Sequence, residues 1–322
     1  MVATSEQRSA AELRTDRPLD RQLVHKSAFE QVFVTDWTHD ASENWCTVAG
    51  RLPLAHARFS DSAAPYHDIL LIAETVRQAG LVVAAKILNI ESDRQFLLRE
   101  MKVELDPIEH ARRDRDNCDV LIAHDSTSKV KMRPGRTMVG GFLRAQVTIG
   151  GRPAGVCEVT GAWVPDDFYE SFRSGNASGE TSPPTPPARG DLETRTGKLN
   201  PANSVITPIR PTTEARGYEA SLAIDVEDPT FFDHPLDHLP GLCLLEGMQQ
   251  VALAAACEEL AADHTTVLVS AMQMKFSRIA ELQPDVTCTV TLDEGCSTGR
   301  VGCMQGNRSC CEGTIRIARL GR

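Results

Sequence analysis

Two stretches of this sequence, residues 67–87 (HDILLIAETVRQAGLVVAAKI) and Gly241–Leu260 (GLCLLEGMQQVALAAACEEL), are too long for strands and apolar on almost every side of a helix. A helix of that kind cannot lie on a surface and has to be wrapped. Each carries one short polar interruption: Glu74, Arg77 and Gln78 in the first, Glu246, Gln249 and Gln250 in the second. Both sets fall at i, i+3 and i+4, which brings the three side chains to one helical face. The same local order therefore occurs twice in 322 residues, a length that suits two domains with a core each.

The flanks repeat as well. Strand-like segments at 30–36, 46–54, 95–105, 119–124, 136–149 and 154–164 surround the first helix, and others at 218–226, 266–276, 286–292, 301–305 and 313–318 surround the second. Between the halves, residues 174–190 (SGNASGETSPPTPPARG) have the composition of a linker. The expected division is a flexible N-terminus (1–20), a first domain (21–173), a Pro/Ser/Gly-rich linker (174–200) and a second domain (201–322). An antiparallel sheet curled around one long helix, built twice, satisfies this α+β pattern.

Composition narrows the function. A formal net charge of −10 argues against a nucleic-acid partner, which needs clustered cations. No apolar run approaches the ~18–20 residues of a membrane span, and residues 1–20 lack the apolar core of a secretory signal, so a soluble cytoplasmic protein is expected. The ten cysteines are then reduced. Cys296, Cys303 and Cys310 stand seven apart without Cys-x-x-Cys pairing, which reads as structural thiols and not as a metal site. Lys129, Lys131, Arg133 and Arg136 read as an exposed basic hairpin, with docking of an acidic carrier protein as the alternative.

An ionisable group inside a buried helix needs a partner or a function. Arg77 can hold Glu74 ionised, whereas Gln249 offers Glu246 no charge, so proton abstraction is assigned to Glu246, and binding or scaffolding to Glu74 and Arg77. Ahead of the second helix, Asp233, His234, Asp237 and His238 crowd six residues. Lacking a well-spaced third ligand, this loop reads as catalytic or substrate-orienting through His234, Asp237 and His238, with no metal. Pro240 and Gly241 then open the helix, whose free N–H groups at Gly241 and Leu242 suit a carbonyl oxygen gaining negative charge. The first helix has Tyr66, His67 and Asp68 at its entrance and no Pro-Gly pair. One productive or dominant site, in the second half, is expected.

The run PGLCLLEGMQQ resembles the central-helix motif of hotdog β-hydroxyacyl-carrier-protein dehydratases. The fuller series resembles the A-factor biosynthesis (AfsA-like) tandem-hotdog family of γ-butyrolactone and butenolide signalling-molecule synthesis. It comprises LVHK at 23–26, EQVFVTD at 30–36, RLPLAH at 51–56, HDILLIAETVRQAG at 67–80, FFDHPLDHLPGLCLLEGMQQ at 231–250 and KFSRIAEL at 275–282. The resemblance implies a double hotdog forming a pseudo-dimer within one chain, as monomer or homodimer. It implies transfer of a β-ketoacyl group from an acyl-carrier-protein thioester to the hydroxyl of dihydroxyacetone phosphate, leading to a butenolide, without cofactor. Glu74, Arg77, Gln78, Gln249, Gln250, Lys275 and Arg278 would line the substrate, with Arg77, Lys275 and Arg278 as candidates for its phosphate. One departure bears on the acceptor: the family carries Glu-x-x-Arg-Gln in its second helix too, and here the Arg position is Gln249. The competing readings are a dehydratase using His234 or His238 with Glu246, a thioesterase activating water, and a non-catalytic acyl or lactone binder.

Overall fold

The second half shows how the sheet is made: Val286–Leu292 buries every second side chain, as a strand with one face on a core must. The structure, a computed structural model, describes residues 9–40, 42, 45–90, 94–125, 131–132, 139–176 and 192–321. The first half contains β1 (Val34–Asp40), β2 (Trp45–Arg51), α1 (Ile69–Lys86), β3 (Arg94–Leu105), β4 (Asp119–Asp125), β5 (Lys131–Met132), β6 (Val139–Ile149), β7 (Arg152–Pro165) and α2 (Asp166–Asn176). The second contains β8 (Arg210–Pro211), β9 (Gly217–Ser221), β10 (His238–Leu239), α3 (Gly241–Leu260), β11 (Val267–Phe276), β12 (Ala280–Glu281), β13 (Val286–Leu292), β14 (Thr298–Gln305) and β15 (Arg308–Arg319).

One continuous sheet runs β1-β2-β4-β6-β7-β3-β11-β15-β14-β13-β9-β8, with β5 added on β6. Its midpoint joins the two halves: β3, the first strand after α1, pairs antiparallel with β11, the first strand after α3. Gln273 lies opposite Lys102 and Met274 opposite Met101. The shift along the chain that carries Glu74 onto Glu246 also carries Met101 onto Gln273 and Lys102 onto Met274, so the two pairs exchange and a local twofold passes between them. Each half of the sheet curls over its own helix, and α1 and α3 are buried on nearly all sides, as their all-round apolarity requires. This is the expected α+β double hotdog.

Several details differ from the pattern reading. The first strand starts at Val34, because Phe29–Gln31 turns as a 3-10 helix whose surrounding backbone is bound by a glutamine of α1. α2 follows β7 where the first domain was expected to run out, with Asp166 and Asp167 placed favourably in its first turn. The lead-in is held on β1 from Arg14 onward: Thr35 donates to the Arg14 carbonyl at 2.8 Å and the Leu19 N–H to that of Val34 at 2.9 Å. After the linker, Leu192, Glu193, Thr196 and Lys198 are buried, so residues 192–200 belong to the folded body. The linker core (177–191) lies outside the described residues, as do Lys129, Arg133, Arg136 and the side chain of Lys131.

Candidate active site

Both helices hold their polar residues in the same way. Gln78 donates to the Gln31 carbonyl at 2.7 Å and to Glu74 at 3.0 Å, while its Oε1 accepts from the Phe33 N–H at 2.8 Å. Gln250 donates to the Asn203 carbonyl at 3.0 Å and to Glu246 at 2.7 Å, while accepting from the Val205 N–H at 2.8 Å. Each glutamine thus ties its glutamate to the segment that precedes the half's own strands. Each segment also supplies a lysine: Lys26 reaches Glu74 at 3.2 Å and Lys198 reaches Glu246 at 3.0 Å. The shift that relates the two glutamates relates the two lysines as well. Sequence reasoning gave neither a role, since Lys26 sat within a motif and Lys198 within the linker. The available signal was that each lysine precedes its helix glutamate by the same interval.

In the second cluster, Lys198 also meets Asp68 at 2.6 Å, and Gln249 donates to Asp68 at 3.2 Å. Asp68 is the N-cap of α1, accepting from the Leu70 N–H at 2.9 Å. The side chains of Asp68, Lys198 and Glu246 are 3%, 1% and 0% exposed. Burial alone would push the Asp68 carboxyl up, but Lys198, the Leu70 N–H and Gln249 outweigh it and hold it below the ordinary carboxylate range. Lys198 likewise stays an ammonium: burial lowers its pKa, and Asp68 and Glu246 raise it further. The premise that Glu246 lacks a nearby cation is therefore corrected. It is ion-paired in a closed cluster, and a carboxylate already occupies the N-terminus of the helix across from it. Glu246 Oε2 and Gln249 Oε1 meet no partner among the described residues.

The first cluster is open where the second is shut. Arg77 grips Glu74 with Nε at 2.7 Å and Nη2 at 2.8 Å, and is itself 38% exposed. The position equivalent to Asp68 is Pro240, which carries no carboxylate, and α3 has no side-chain cap. Because Lys198 and Gln249 face the N-terminus of α1, the twofold makes Lys26 and Arg77 face the N-terminus of α3. The contacts agree. Asp233, in the loop entering α3, accepts from the N–H of Ser27 and, at 2.8 Å, of Ala28, next to Lys26, and its charge acts on Arg77. Gly241 packs by Phe276 and by Leu98 of β3. By that symmetry the free N–H groups of Gly241 and Leu242 lie toward Glu74 of the other half, not toward Glu246 of their own helix.

Charge in this cluster is balanced tightly. Burial pushes the Glu74 carboxyl up, but Arg77, Lys26 and the Gln78 hydrogen bond together hold it well below the usual carboxylate range. Burial, reinforced by Arg77 and His234 nearby, lowers the pKa of His25 from its ordinary value. His234 is half exposed beside Asp233.

The remaining expected residues lie elsewhere. Asp237 accepts from Arg173 of α2 at 2.9 Å and from His238 at 2.7 Å, and Arg173 grips Glu281 of β12 at 2.7 Å through both terminal nitrogens. Asp237 and His238 thus help fasten α2 to the β10–β12 ribbon, and among the described residues no contact joins either to Glu74 or Glu246. Lys275 is on the exposed face of β11. Arg278 lines a cavity with Arg173, Gln305 and Arg308 that includes none of the Glu74 cluster. All ten cysteines are buried, with burial pushing the thiols of Cys46, Cys157 and Cys311 up to about 12. No metal-competent group of side chains occurs among the described residues.

The model of the A-factor biosynthesis hotdog domain matches residues 7–165 and 186–319. The chain belongs to the A-factor biosynthesis hotdog family. The first matched segment ends before the linker, and the second begins within it. Among curated relatives, a 2-oxo-3-(phosphooxy)propyl 3-oxoalkanoate synthase of Streptomyces virginiae is 30% identical over 81% of this chain and 83% of its own. A protein of the same description from Streptomyces coelicolor is 26% identical, covering 89% and 86%. Among solved structures, a putative oleoyl thioesterase from Lactobacillus plantarum superposes with a TM-score of 0.54 at 10% identity, over 88% of this chain and 99% of that one, a likeness of fold. Gln249 stands, in the second half, where Arg77 stands in the first.

Proposed function

We propose that the chain is an acyltransferase that moves a 3-oxoacyl group from an acyl-carrier-protein thioester to the hydroxyl of dihydroxyacetone phosphate, in one site built around Glu74. The relatives' description, a phosphooxypropyl ester of a 3-oxoalkanoate, supplies the substrate class. The observation that carries the site is the contrast between the helix entrances: α3 is uncapped opposite Arg77 and Lys26, while α1 is plugged by Asp68.

The thioester carbonyl oxygen sits at the N–H groups of Gly241 and Leu242, which stabilise the charge it gains in the tetrahedral intermediate. The acceptor's phosphate is drawn to Arg77 and Lys26, the cations that hold Glu74 ionised in the free protein. Once the phosphate shares them, the Glu74 carboxylate becomes more basic, so the acceptor itself activates the base. Glu74 takes the hydroxyl proton as the oxygen forms its bond to the carbonyl carbon. The C–S bond then breaks, and the proton passes to the departing thiolate. No covalent enzyme intermediate is involved.

The test is incubation with a 3-oxoacyl thioester, with and without dihydroxyacetone phosphate, followed by mass spectrometry. The phosphate-bearing ester or the butenolide derived from it is the expected product. Free 3-oxo acid as the sole product, unchanged by the acceptor, would overturn the reading in favour of a thioesterase.

A further inference from the structure

An apolar slot opens beside the Glu74 cluster, between α1 and strands β3, β6 and β7. Arg77 is the one charged residue among those lining it. Its walls are Leu81 and Val83 on α1, Phe96 on β3, Leu143 on β6, and Trp163 on β7. The slot follows α1 from Val76 to Val83, a run of ~10 Å at 1.5 Å per residue. Leu98, which packs by Gly241, lies two residues from Phe96 and so on the same face of β3, roughly 7 Å along the strand. The slot therefore begins where a carbonyl held at the N-terminus of α3 would leave its chain.

Two features fix its dimensions. The rings of Phe96 and Trp163 pack at 4.9 Å with a 48° tilt, and a Cβ on Gly141 would come within 2.6 Å of Trp163, so the absence of a side chain there lets the indole lie in place. On the helix side a Cβ on Gly80 would meet Leu143 Cδ2 at 3.1 Å, so the width between α1 and β6 depends on that glycine. A slot with one cationic end and apolar walls suits an aliphatic chain ending in a polar, anion-forming head.

We propose that this slot takes the aliphatic chain of the acyl donor and that Trp163, propped by Phe96, sets the length accepted, with Gly80 setting the width. The assignment rests on the acyl-transfer reading for the donor's identity. Each methylene buried should improve binding by a factor of about three to four until the indole is reached.

The test reads binding, not turnover. Non-hydrolysable 3-oxoacyl-pantetheine thioether analogues of increasing length, brominated at successive chain carbons, are titrated against tryptophan fluorescence. Bromine near the chain end should quench strongly, bromine near the head weakly, and the effect should vanish in Trp163→Phe, which leaves Trp37 and Trp45. Quenching that ignores bromine position, or persists in Trp163→Phe, overturns the proposal. Gly80→Val, with its fold verified by circular dichroism, should weaken a long-chain analogue at least tenfold and a four-carbon analogue less than twofold. Equal losses for both would also overturn it. A protein that binds the analogues in this way yet makes no phosphate ester refutes the reaction and leaves the slot standing.

Discussion

At the scale of single residues, two glutamates with the same spacing, the same glutamine and the same kind of lysine have different surroundings. Glu74→Gln should lower kcat/KM by about 10²–10⁴, the usual share of a positioned general base, whereas Glu246→Gln should keep kcat/KM within a few-fold. Steady-state kinetics on both variants checks this, and the reverse ranking would return the chemistry to the second half. Buried histidines bear on mild-acid stability, and His124 is one of them. His124, fully buried on β4, has both ring nitrogens without a partner among the described residues, and burial pulls its pKa down to about 3. The unfolded chain takes up the proton below about pH 6.5 and the folded one does not, so this residue's contribution is complete above that pH and falls as pH drops, by about 2 kcal/mol at pH 5. His124→Leu should flatten the urea-derived stability between pH 7 and pH 5 by that amount, and unchanged slopes would disprove the assignment.

At the scale of elements, the entrance of α3 carries the argument. Gly241→Pro tests it, because proline is favoured at the first helical position and removes the N–H assigned to the oxyanion, with Gly241→Ala as the control that adds the Cβ beside Phe276 and keeps the N–H. The helix should remain by circular dichroism while kcat falls about 10²–10³, with little change in KM. Full activity would show that the carbonyl binds elsewhere. The helices themselves, the strands that follow them and the Pro-Gly entrance were all legible in the sequence, because periodicity and local chemistry report on them directly. Which glutamate the entrance serves was not. Helical spacing reveals the face on which Glu246 lies, but the twofold turns the N-terminus of its own helix toward the other half of the chain, and no local pattern records that crossing. Lys198 was hidden for a related reason: polar composition groups it with the linker, and only its ion pairs with Asp68 and Glu246 show it to be interior.

At the scale of the molecule, the halves are joined along one sheet and by charges that cross between them. Arg58, buried in the first half, donates to Asp228 at 3.1 Å and to the Asn203 carbonyl at 2.7 Å, and lies over the Phe231 ring. Lys198 joins Asp68 and Glu246 in the same way. Thermal unfolding should therefore be one calorimetric transition, and two resolved peaks would contradict the shared core. Lys198→Met, which strands two buried carboxylates, should cost about 3–5 kcal/mol in that transition. Loss of less than about 1 kcal/mol would show the cluster to be dispensable.

The exchange of helix entrances between the halves has a further consequence for how such a chain can change over time. In an assembly of two identical subunits, any substitution near one entrance is written into both sites at once, so neither can drift without the other. Fusion ends that bondage. Here one entrance carries Pro240, while the other carries Asp68 opposite Gln249. On the reading proposed above, one entrance serves the reaction while its mirror image, closed by Asp68 and Lys198, serves the fold.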